Sequence, residues 1–312
     1  MRFQYFEDCY KENAFLAEDI RQTVQNGVPL SEIAVLFRTN MQPRALMEYM
    51  VSANLAFQTK DRIPDIYEHW IARDFFTYIR IAQGSDSRAD FLSIMNRPKR
   101  YIGRDSLPDE TVCFDEWMKL YEEQPWIAER IEKLWYDLKH LSRLSPYAAI
   151  NYIRRGIGYD DYLAEYAEYR NANKEDFYEV ADEILASAKG YRTFEEWFAH
   201  IEEYRQELKR LAQEKRRNQN AVTFATLHSA KGLEFTKVYL IDVNEGVMPY
   251  QKAVLAEAIE EERRMFYVGM TRARKELTLC YVEERFEKKV EPSRFLDEVI
   301  PVSYTHLRAH ET

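Results

Sequence analysis

The chain has 312 residues, and its 44 lysines and arginines against 53 aspartates and glutamates give a net charge of −9 at pH 7. No apolar run approaches the ~20 residues that a membrane helix needs, and the first residues lack the apolar core of a signal peptide. Three widely separated cysteines exclude a disulfide framework and a thiolate-rich zinc site, so we expect a cytoplasmic protein that does not associate with a membrane.

The N-terminal region alternates helical and strand patterns. Apolar residues at helical spacing predict a helix over about 12–25, which Gly27 and Pro29 end. The run 33–37, Ile-Ala-Val-Leu-Phe, is apolar throughout and predicts a strand buried on both faces of a parallel sheet. A second helical pattern follows over 43–50. Helix, strand and helix in this order indicate an α/β layer.

The middle of the chain, from about 65 to 219, has an almost continuous helical pattern. Thr193 and Glu196 form a capping-box sequence, which predicts that a helix begins there. Most of the five tryptophans lie in this region at helical spacing. We expect them to pack between helices rather than to stack on bases.

Strand patterns return near the C-terminus. A helix is predicted over about 253–268, and strands are predicted over 222–226, 238–243 and 277–282.

The simplest architecture for these elements is an α/β parallel-sheet domain formed by both chain ends, with an all-helical domain inserted between them. We place the sheet domain in residues 1–100 and 220–300 and the helical domain in residues 101–219. Residues 301–312 fit no element, and we interpret them as a non-native tail.

Two segments place polar groups directly after expected strands, where ligands bind in α/β sheets. Phe37 and Arg38 offer an aromatic face for a base and a guanidinium for a phosphate, but taken alone they favour a capping turn with Arg38 in a surface ion pair. The segment 226–235, Thr-Leu-His-Ser-Ala-Lys-Gly-Leu-Glu-Phe, offers donors for phosphate oxygens and a carboxylate for ribose hydroxyls. It is not a P-loop, because Lys231 precedes Gly232.

A third segment, residues 260–274, combines a glutamate–arginine run with a predicted helix end. Glu260 precedes Arg263 and Arg264 by three and four residues, so we expect these side chains to pair on the helix surface. Arg272 lies where the chain turns towards the next strand, a position from which an arginine finger could reach a nucleotide.

Basic and glycine-containing segments in the helical region leave two interpretations open. A solvated helix face is favoured over phosphate binding for the cluster Lys209, Arg210, Lys215, Arg216 and Arg217, while the two interpretations are balanced for Arg97, Lys99, Arg100 and Arg104. For Gly156-Ile157-Gly158, a helix break is favoured over a grip on duplex DNA.

Together and in this order, these segments resemble the C-terminal half of the UvrD/PcrA/Rep-type superfamily-one DNA helicases. Motif IV resembles residues 34–40 with Arg44, motif V resembles 226–235, and motif VI resembles 261–273. Further similar segments are 96–103, 244–249 and 292–296.

The resemblance implies a RecA-like lobe with an inserted helical domain, and it implies a role for each matching residue. Arg38 and Arg272 would be the catalytic contacts to the γ-phosphate, and Phe37 would replace an adenine-stacking tyrosine. Gly232 and Glu234 would contact the ribose side of ATP. Thr226 and His228 would contact the backbone of single-stranded DNA, and the basic cluster described above adds Lys99 and Arg100 as candidates for DNA binding.

The family's first lobe has no counterpart in the sequence, because GxxxxGK[ST] does not occur. We therefore expect an upstream RecA-like lobe to hold most of the Mg²⁺–ATP and this chain to be inactive by itself. The complete protein would be an ATP-dependent 3′-to-5′ helicase acting on single-stranded DNA and on junctions between single and double strands. The alternative is a non-catalytic module, derived from this lobe, that binds DNA or a partner.

Overall fold

The computed structural model describes residues 1–214 and 220–299. They form two compact units, one of Met1–Pro64 with the described residues from Tyr204 onward, and one of Asp65–Glu203. We call these the sheet unit and the helical unit. Lys215, Arg216 and Arg217 and the interpreted tail 301–312 lie outside the described residues.

Strands and helices are numbered here in chain order. The strands are β1 (Arg2–Asp8), β2 (Ile33–Phe37), β3 (Phe57–Thr59), β4 (Val222–Thr226), β5 (Phe235–Leu240), β6 (Ala273–Arg285) and β7 (Lys288–Lys289). The helices are α1 (Cys9–Gln25), α2 (Arg44–Ser52), α3 (Trp70–Ala82), α4 (Arg88–Ile94), α5 (Phe114–Lys119), α6 (Pro125–Leu141), α7 (Pro146–Asn151), α8 (Tyr159–Tyr169), α9 (Lys174–Ser187), α10 (Phe194–Glu214), α11 (Ala256–Met270) and α12 (Arg294–Val299).

The strands form one sheet in the order β1-β6-β5-β2-β4-β3, with β7 paired to β6. Neighbours along this order are parallel, and only β7 in the described sheet is antiparallel. β2 lies between β4 and β5, and all five of its side chains are buried. The predicted α/β parallel sheet built from both chain ends is therefore confirmed, because an apolar run on a central strand is covered on both faces.

The strand β1 was not predicted, and α1 begins earlier than the predicted residue 12. The side chain of Asp8 accepts a hydrogen bond from the Lys11 backbone N–H at 2.8 Å and caps the helix. β1 alternates between exposed and partly buried residues because it is an edge strand paired only with β6. Its partner is remote in sequence, so the local pattern was weak.

The helical unit begins at Asp65, well before the predicted boundary at residue 101. Aromatic packing explains the difference: Trp70 of α3 lies 5.0 Å from Tyr166 and 5.8 Å from Phe177, measured between ring centroids. Phe76 lies 5.6 Å from Trp197. These contacts place α3 in the helical core, and they confirm core packing for Trp70 and Trp197.

The predicted capping box at the start of α10 is present. The Glu196 N–H donates to Thr193 Oγ1 at 3.3 Å, and the Thr193 N–H donates to Glu196 Oε2 at 3.4 Å. Within the described residues, no helix is long and apolar enough to cross a bilayer.

Candidate functional site

The carboxyl ends of β2 and β4 lie side by side and bring motifs IV and V together. Phe37 and Thr226 are opposite each other in the register, and the Leu227 N–H donates to the Phe37 carbonyl at 2.9 Å. Arg38 and His228 therefore follow neighbouring strand ends, as the sequence predicts. This edge is where parallel sheets commonly bind ligands.

Arg38 is held by Glu262 of α11. Its Nε lies 2.9 and 3.1 Å from the two carboxylate oxygens of Glu262, and its Nη2 lies 2.7 Å from Oε1. Glu262 is buried and also accepts the Tyr250 backbone N–H at 3.1 Å. Arg38 therefore forms an ion pair in a turn, as the alternative interpretation has it, but its partner is a buried carboxylate that binds two guanidinium nitrogens rather than a surface group.

The backbone at Arg38 is fixed as well as its side chain. Gln42 Oε1 accepts the N–H groups of Arg38 at 2.8 Å and Thr39 at 2.6 Å. Gln42 Nε2 donates to Asp242 Oδ2 at 3.0 Å, just beyond the end of β5. The turn after β2 is thus tied to the neighbouring strand.

Phe37 does not occupy the position that the resemblance implies. Its side chain is 0% exposed. It packs in the core, with its ring centroid 6.4 Å from that of Phe224. A ring with both faces covered has no surface for an adenine, so the predicted stacking role is corrected to a core role.

The motif V loop is anchored by Asp61. One oxygen of this carboxylate accepts the Thr226 N–H at 2.9 Å, and the other accepts the Ser229 hydroxyl. Thr226 Oγ1 also accepts the Ser229 N–H at 3.2 Å. The side chains of His228 and Lys231 remain exposed, so the anchored loop presents them to solvent.

Motifs V and VI pack against each other at Gly269. A Cβ at this position would lie 2.5 Å from Leu227 Cδ2 and 3.0 Å from Leu240 Cδ2. Both leucines are buried in the core on this face of the sheet. A side chain at this position would force the leucines to move, so glycine permits the close approach of α11 to the motif V loop.

Arg272 joins the end of α11 to the motif V loop. Its Nε donates to the Val268 carbonyl and its Nη1 to the Leu233 carbonyl, both at 2.9 Å, while Nη2 donates to Thr271 Oγ1 at 3.0 Å. All three guanidinium nitrogens thus have partners within the protein. The exposed carboxylate of Glu234 follows directly after the Leu233 carbonyl that Arg272 holds.

Arg38 follows β2 and Thr226 ends β4, so both lie at the carboxyl edge of the sheet. Glu234 directly precedes β5 and Arg272 directly precedes β6, so both lie at the amino edge. Phe235 and Ala273 are paired at the amino ends of the parallel strands β5 and β6. The expectation that the polar groups of segment 226–235 directly follow a strand is therefore wrong for Glu234, whereas Arg272 lies before a strand, as the sequence predicts. The motif V loop and α11 each return the chain to the amino edge before the next strand begins.

The glutamates and arginines at the start of motif VI pair mostly as predicted. Arg263 binds Glu260, whereas Arg264 binds Glu261 at 3.1 Å rather than Glu260. These are i,i+3 pairs on an exposed helix face. Pairs of this kind contribute about 0.2–0.5 kcal/mol to helix stability and indicate no ligand.

Arg100 is buried, which corrects its predicted role in DNA binding. Its Nη1 lies 3.2 Å from the carbonyls of Ile94 and Met95, and its Nη2 lies 3.0 Å from the Tyr78 hydroxyl. Phosphates of DNA require an accessible cation, which Arg100 does not present. The guanidinium instead donates to backbone carbonyls at the carboxyl end of α4.

The other basic residues of this segment differ in accessibility. Arg97 binds the buried carboxylate of Asp74 at 2.8 and 3.0 Å, and Asp74 also accepts the Tyr159 hydroxyl at 2.6 Å. Burial raises the pKa of Asp74 although both partners oppose the shift. Lys99 is exposed and pairs with exposed Glu165 at 2.9 Å. Lys99 thus remains accessible to a phosphate.

Two further sequence interpretations concern the helical unit. Gly158 has φ +88° at the start of α8, after a single π turn over Tyr152–Gly156, which agrees with a helix break. Trp126 is 49% exposed, so it departs from the expected core packing. The Arg130 guanidinium lies 4.8 Å from its ring centroid.

No group of three His, Cys, Asp or Glu side chains in residues 1–214 and 220–299 is arranged to hold a metal ion.

Comparison with known proteins decides the family. The sequence profile described as the UvrD-like helicase C-terminal domain matches residues 1–113 and 124–284. The chain belongs to this family. All three motif segments of the sheet unit lie within the matched residues, so the UvrD-like assignment covers the whole site described above.

Curated relatives of the UvrD-like chain are DNA helicases. PcrA of Bacillus subtilis, an ATP-dependent DNA helicase, is 29% identical over 88% of this chain and 40% of its own length. The ATP-dependent DNA helicase Rep of Salmonella typhimurium is 28% identical over 88% and 44%. DNA helicase II of Escherichia coli is 27% identical over 92% and 43%. The chain spans less than half the length of these relatives.

Gln42, Asp61 and Glu262 were not among the predicted site residues. Glu262 had a detectable signal, since it shares the buried face of α11 with Phe266 and Gly269, at spacings of four and seven residues. A glutamate on an apolar helix face requires a partner. Asp61 had no such signal, because its partners lie 165 and 168 residues away.

Proposed function

We propose that this chain is the second motor lobe, with its inserted helical domain, of an ATP-dependent 3′-to-5′ DNA helicase and translocase. The observation that carries the proposal is the packing of motif V against motif VI at Gly269, inside a family match that spans both. This packing links the segment proposed to follow DNA with the segment proposed to reach ATP.

In the proposed mechanism, Arg38 and Arg272 neutralise charge on the transferred phosphoryl group of ATP. Arginines in this role accelerate phosphoryl transfer by about 10³–10⁵. The role of Arg38 is supported by its Nη1, which makes no hydrogen bond within the described residues. Arg272 would exchange a backbone carbonyl for the phosphate. Gly232 and Glu234, both exposed, would contact the ribose.

The single-stranded DNA track of the proposal begins at the motif V loop. His228 is exposed there, and the hydrogen bonds of Asp61 hold Thr226 and Ser229 in a defined turn. In the helical unit, Lys99 is the accessible candidate for contact with DNA, including junctions. Phe37 and Arg100 are left out because both are buried.

Mg²⁺ and most contacts to the other phosphates would come from an upstream RecA-like lobe. We assign these contacts to that lobe because the phosphate-binding sequence GxxxxGK[ST] does not occur in this chain. ATP bound between the two lobes would draw them together, and closure would move the DNA strand along the motif V surface.

ATP hydrolysis and strand separation test the proposal. In the complete protein we expect hydrolysis stimulated by single-stranded DNA and unwinding of duplexes with a 3′ tail but not a 5′ tail. This chain alone should not hydrolyse ATP. DNA binding without turnover in the complete protein would favour the non-catalytic module. DNA-stimulated turnover by this chain alone would refute the division of the ATP site between two lobes.

A further inference from the structure

We infer that Glu262 is the residue that positions Arg38 for phosphoryl transfer. This inference rests on the proposed function and adds a residue to its ATP site. The observation is the two-nitrogen contact of Arg38 Nε and Nη2 with one carboxylate, at 2.7 to 3.1 Å. The contact joins motif IV to motif VI across 224 residues of sequence.

The geometry of the guanidinium decides what Glu262 leaves available. An arginine side chain has five N–H groups in a planar fork, so it binds one anion along the Nε–Nη2 side and a second through Nη1. Glu262 occupies the first side, and Nη1 makes no hydrogen bond within the described residues. The carboxylate thus orients Arg38 without covering the side that a phosphate would use.

Glu262 is itself held in place. Its side chain is 7% exposed, and its Oε2 accepts the Tyr250 backbone N–H at 3.1 Å. Phe266, one helical turn further along α11, packs in the core beneath it. A carboxylate fixed by backbone and core packing provides a rigid support, which is how a phosphate-binding group is kept ready before the substrate arrives.

The backbone of Arg38 is restrained independently by Gln42, which accepts the N–H groups of Arg38 and Thr39. The remaining freedom lies in the rotatable bonds of the Arg38 side chain. Glu262 removes that freedom at the guanidinium end. A misplacement of about 1 Å at a reacting group costs on the order of 10²-fold in rate, so loss of this support should lower turnover.

The test compares Glu262→Gln with Glu261→Gln in the complete protein. Glu261 is the adjacent residue, exposed and paired only with Arg264 among the described residues, so it is a matched control. We expect Glu262→Gln to lower kcat for ATP about 10- to 100-fold, with little change in KM or in single-stranded DNA affinity. Glu261→Gln should match the wild type.

A double-mutant cycle tests whether Glu262 acts through Arg38. In an Arg38→Ala background, Glu262→Gln should cause no further loss of kcat, because the group that it positions is gone. Additive losses would overturn the inference. An unchanged kcat in Glu262→Gln, with or without a fall in Tm, would also overturn it. Faster turnover in this variant would overturn it too, because it would show that Glu262 competes with the phosphate for Arg38.

Arg38→Lys provides a second variant if Glu262→Gln folds poorly. An ammonium lacks the planar fork, so lysine bound to Glu262 cannot also present an oriented second side. We expect a kcat close to that of Arg38→Ala, and wild-type turnover would overturn the inference. If Arg38→Ala itself has no effect, the ATP contact in the proposed function fails. If Arg38→Ala lowers turnover but Glu262→Gln does not, the proposed function stands without this inference.

Discussion

Arg38 in the sheet unit and Arg100 in the helical unit are both arginines that the sequence offers for phosphate binding, yet the fold uses them in opposite ways. Arg38 is fixed along one side by Glu262 and keeps Nη1 available. Arg100 is 7% exposed, and backbone carbonyls of Ile94, Met95 and Pro98 surround one of its nitrogens.

The difference lies in the acceptors around each guanidinium. One carboxylate approaches Arg38 from one direction, so a second anion still has a side to bind. Several carbonyls at the end of α4 converge on Arg100, so its hydrogen-bonding capacity serves the fold. Arg38 therefore stays a candidate for binding a phosphate, because its partner leaves one nitrogen without a hydrogen bond, whereas the bonds of Arg100 serve the fold.

The largest expected effect concerns Arg272, the second proposed phosphate contact. All three of its guanidinium nitrogens donate within the protein, so it extends the comparison of Arg38 with Arg100 to an arginine that must exchange a partner to bind phosphate. In the complete protein, Arg272→Ala should lower ATP turnover by about 10³-fold or more while leaving single-stranded DNA binding nearly unchanged. Steady-state ATP hydrolysis and DNA titration measure both quantities. Arg264→Ala, which removes an exposed arginine of the same segment, is the control. Unchanged turnover would remove Arg272 from the ATP site.

The next effect tests whether Arg100 is structural. Arg100→Ala should lower the free energy of unfolding by about 2–4 kcal/mol, because several buried acceptors lose a charged donor. Chemical denaturation measures this loss. Arg104→Ala, at an exposed position of the same segment, should change stability by less than about 0.5 kcal/mol. Weaker DNA binding by Arg100→Ala at unchanged stability would break the comparison.

A smaller effect is expected at the anchor of the motif V loop. Asp61→Asn retains an acceptor for the Thr226 N–H but weakens the charge-assisted bond from Ser229. The free energy that favours the ordered loop should then fall by about 1 kcal/mol. Because the ordered loop is proposed to bind DNA, the affinity for single-stranded DNA should fall about fivefold. Fluorescence anisotropy with labelled DNA measures the affinity, with Glu7→Gln, at an exposed position of β1, as the control. Equal affinities would show that the anchor does not support DNA binding.

The smallest effect concerns the buried carboxyl of Glu12. Burial, together with nearby Asp242, raises its pKa well above the ordinary 4.5, although the Asp242 N–H and Arg285 oppose the shift. Cys280 is buried nearby, and the pKa of its thiol is raised by burial and by the charge of Glu12. Above about pH 4.5 the native state therefore binds more protons than the unfolded state, and stability falls as pH rises towards the raised pKa.

Glu12→Gln should remove this contribution, which has a slope of at most about 1.4 kcal/mol per pH unit. The difference in unfolding free energy between variant and wild type should therefore change between pH 5 and pH 8, in favour of the variant at the higher pH. Denaturation at several pH values measures it, with Glu7→Gln as the control. Parallel curves would show that Glu12 keeps the same proton affinity in both states.

The sequence by itself determined the elements whose signal is local. The apolar run at 33–37 predicted the central strand β2, and the pair Thr193 and Glu196 predicted the start of α10. Motifs IV, V and VI predicted the family, which the match over residues 1–113 and 124–284 confirms. In each case neighbouring residues define the pattern, so no knowledge of distant contacts is required.

The tertiary structure alone decided which residues serve the site. Glu262 meets Arg38 across 224 residues of sequence, and Asp61 meets Ser229 across 168. The burial of Phe37 and Arg100 depends equally on distant segments. A side chain's role depends on the acceptors and apolar groups that packing brings to it, and sequence spacing does not specify those. The sequence therefore identifies the segments that form the candidate site, whereas the fold determines which of their residues are accessible or held in place there.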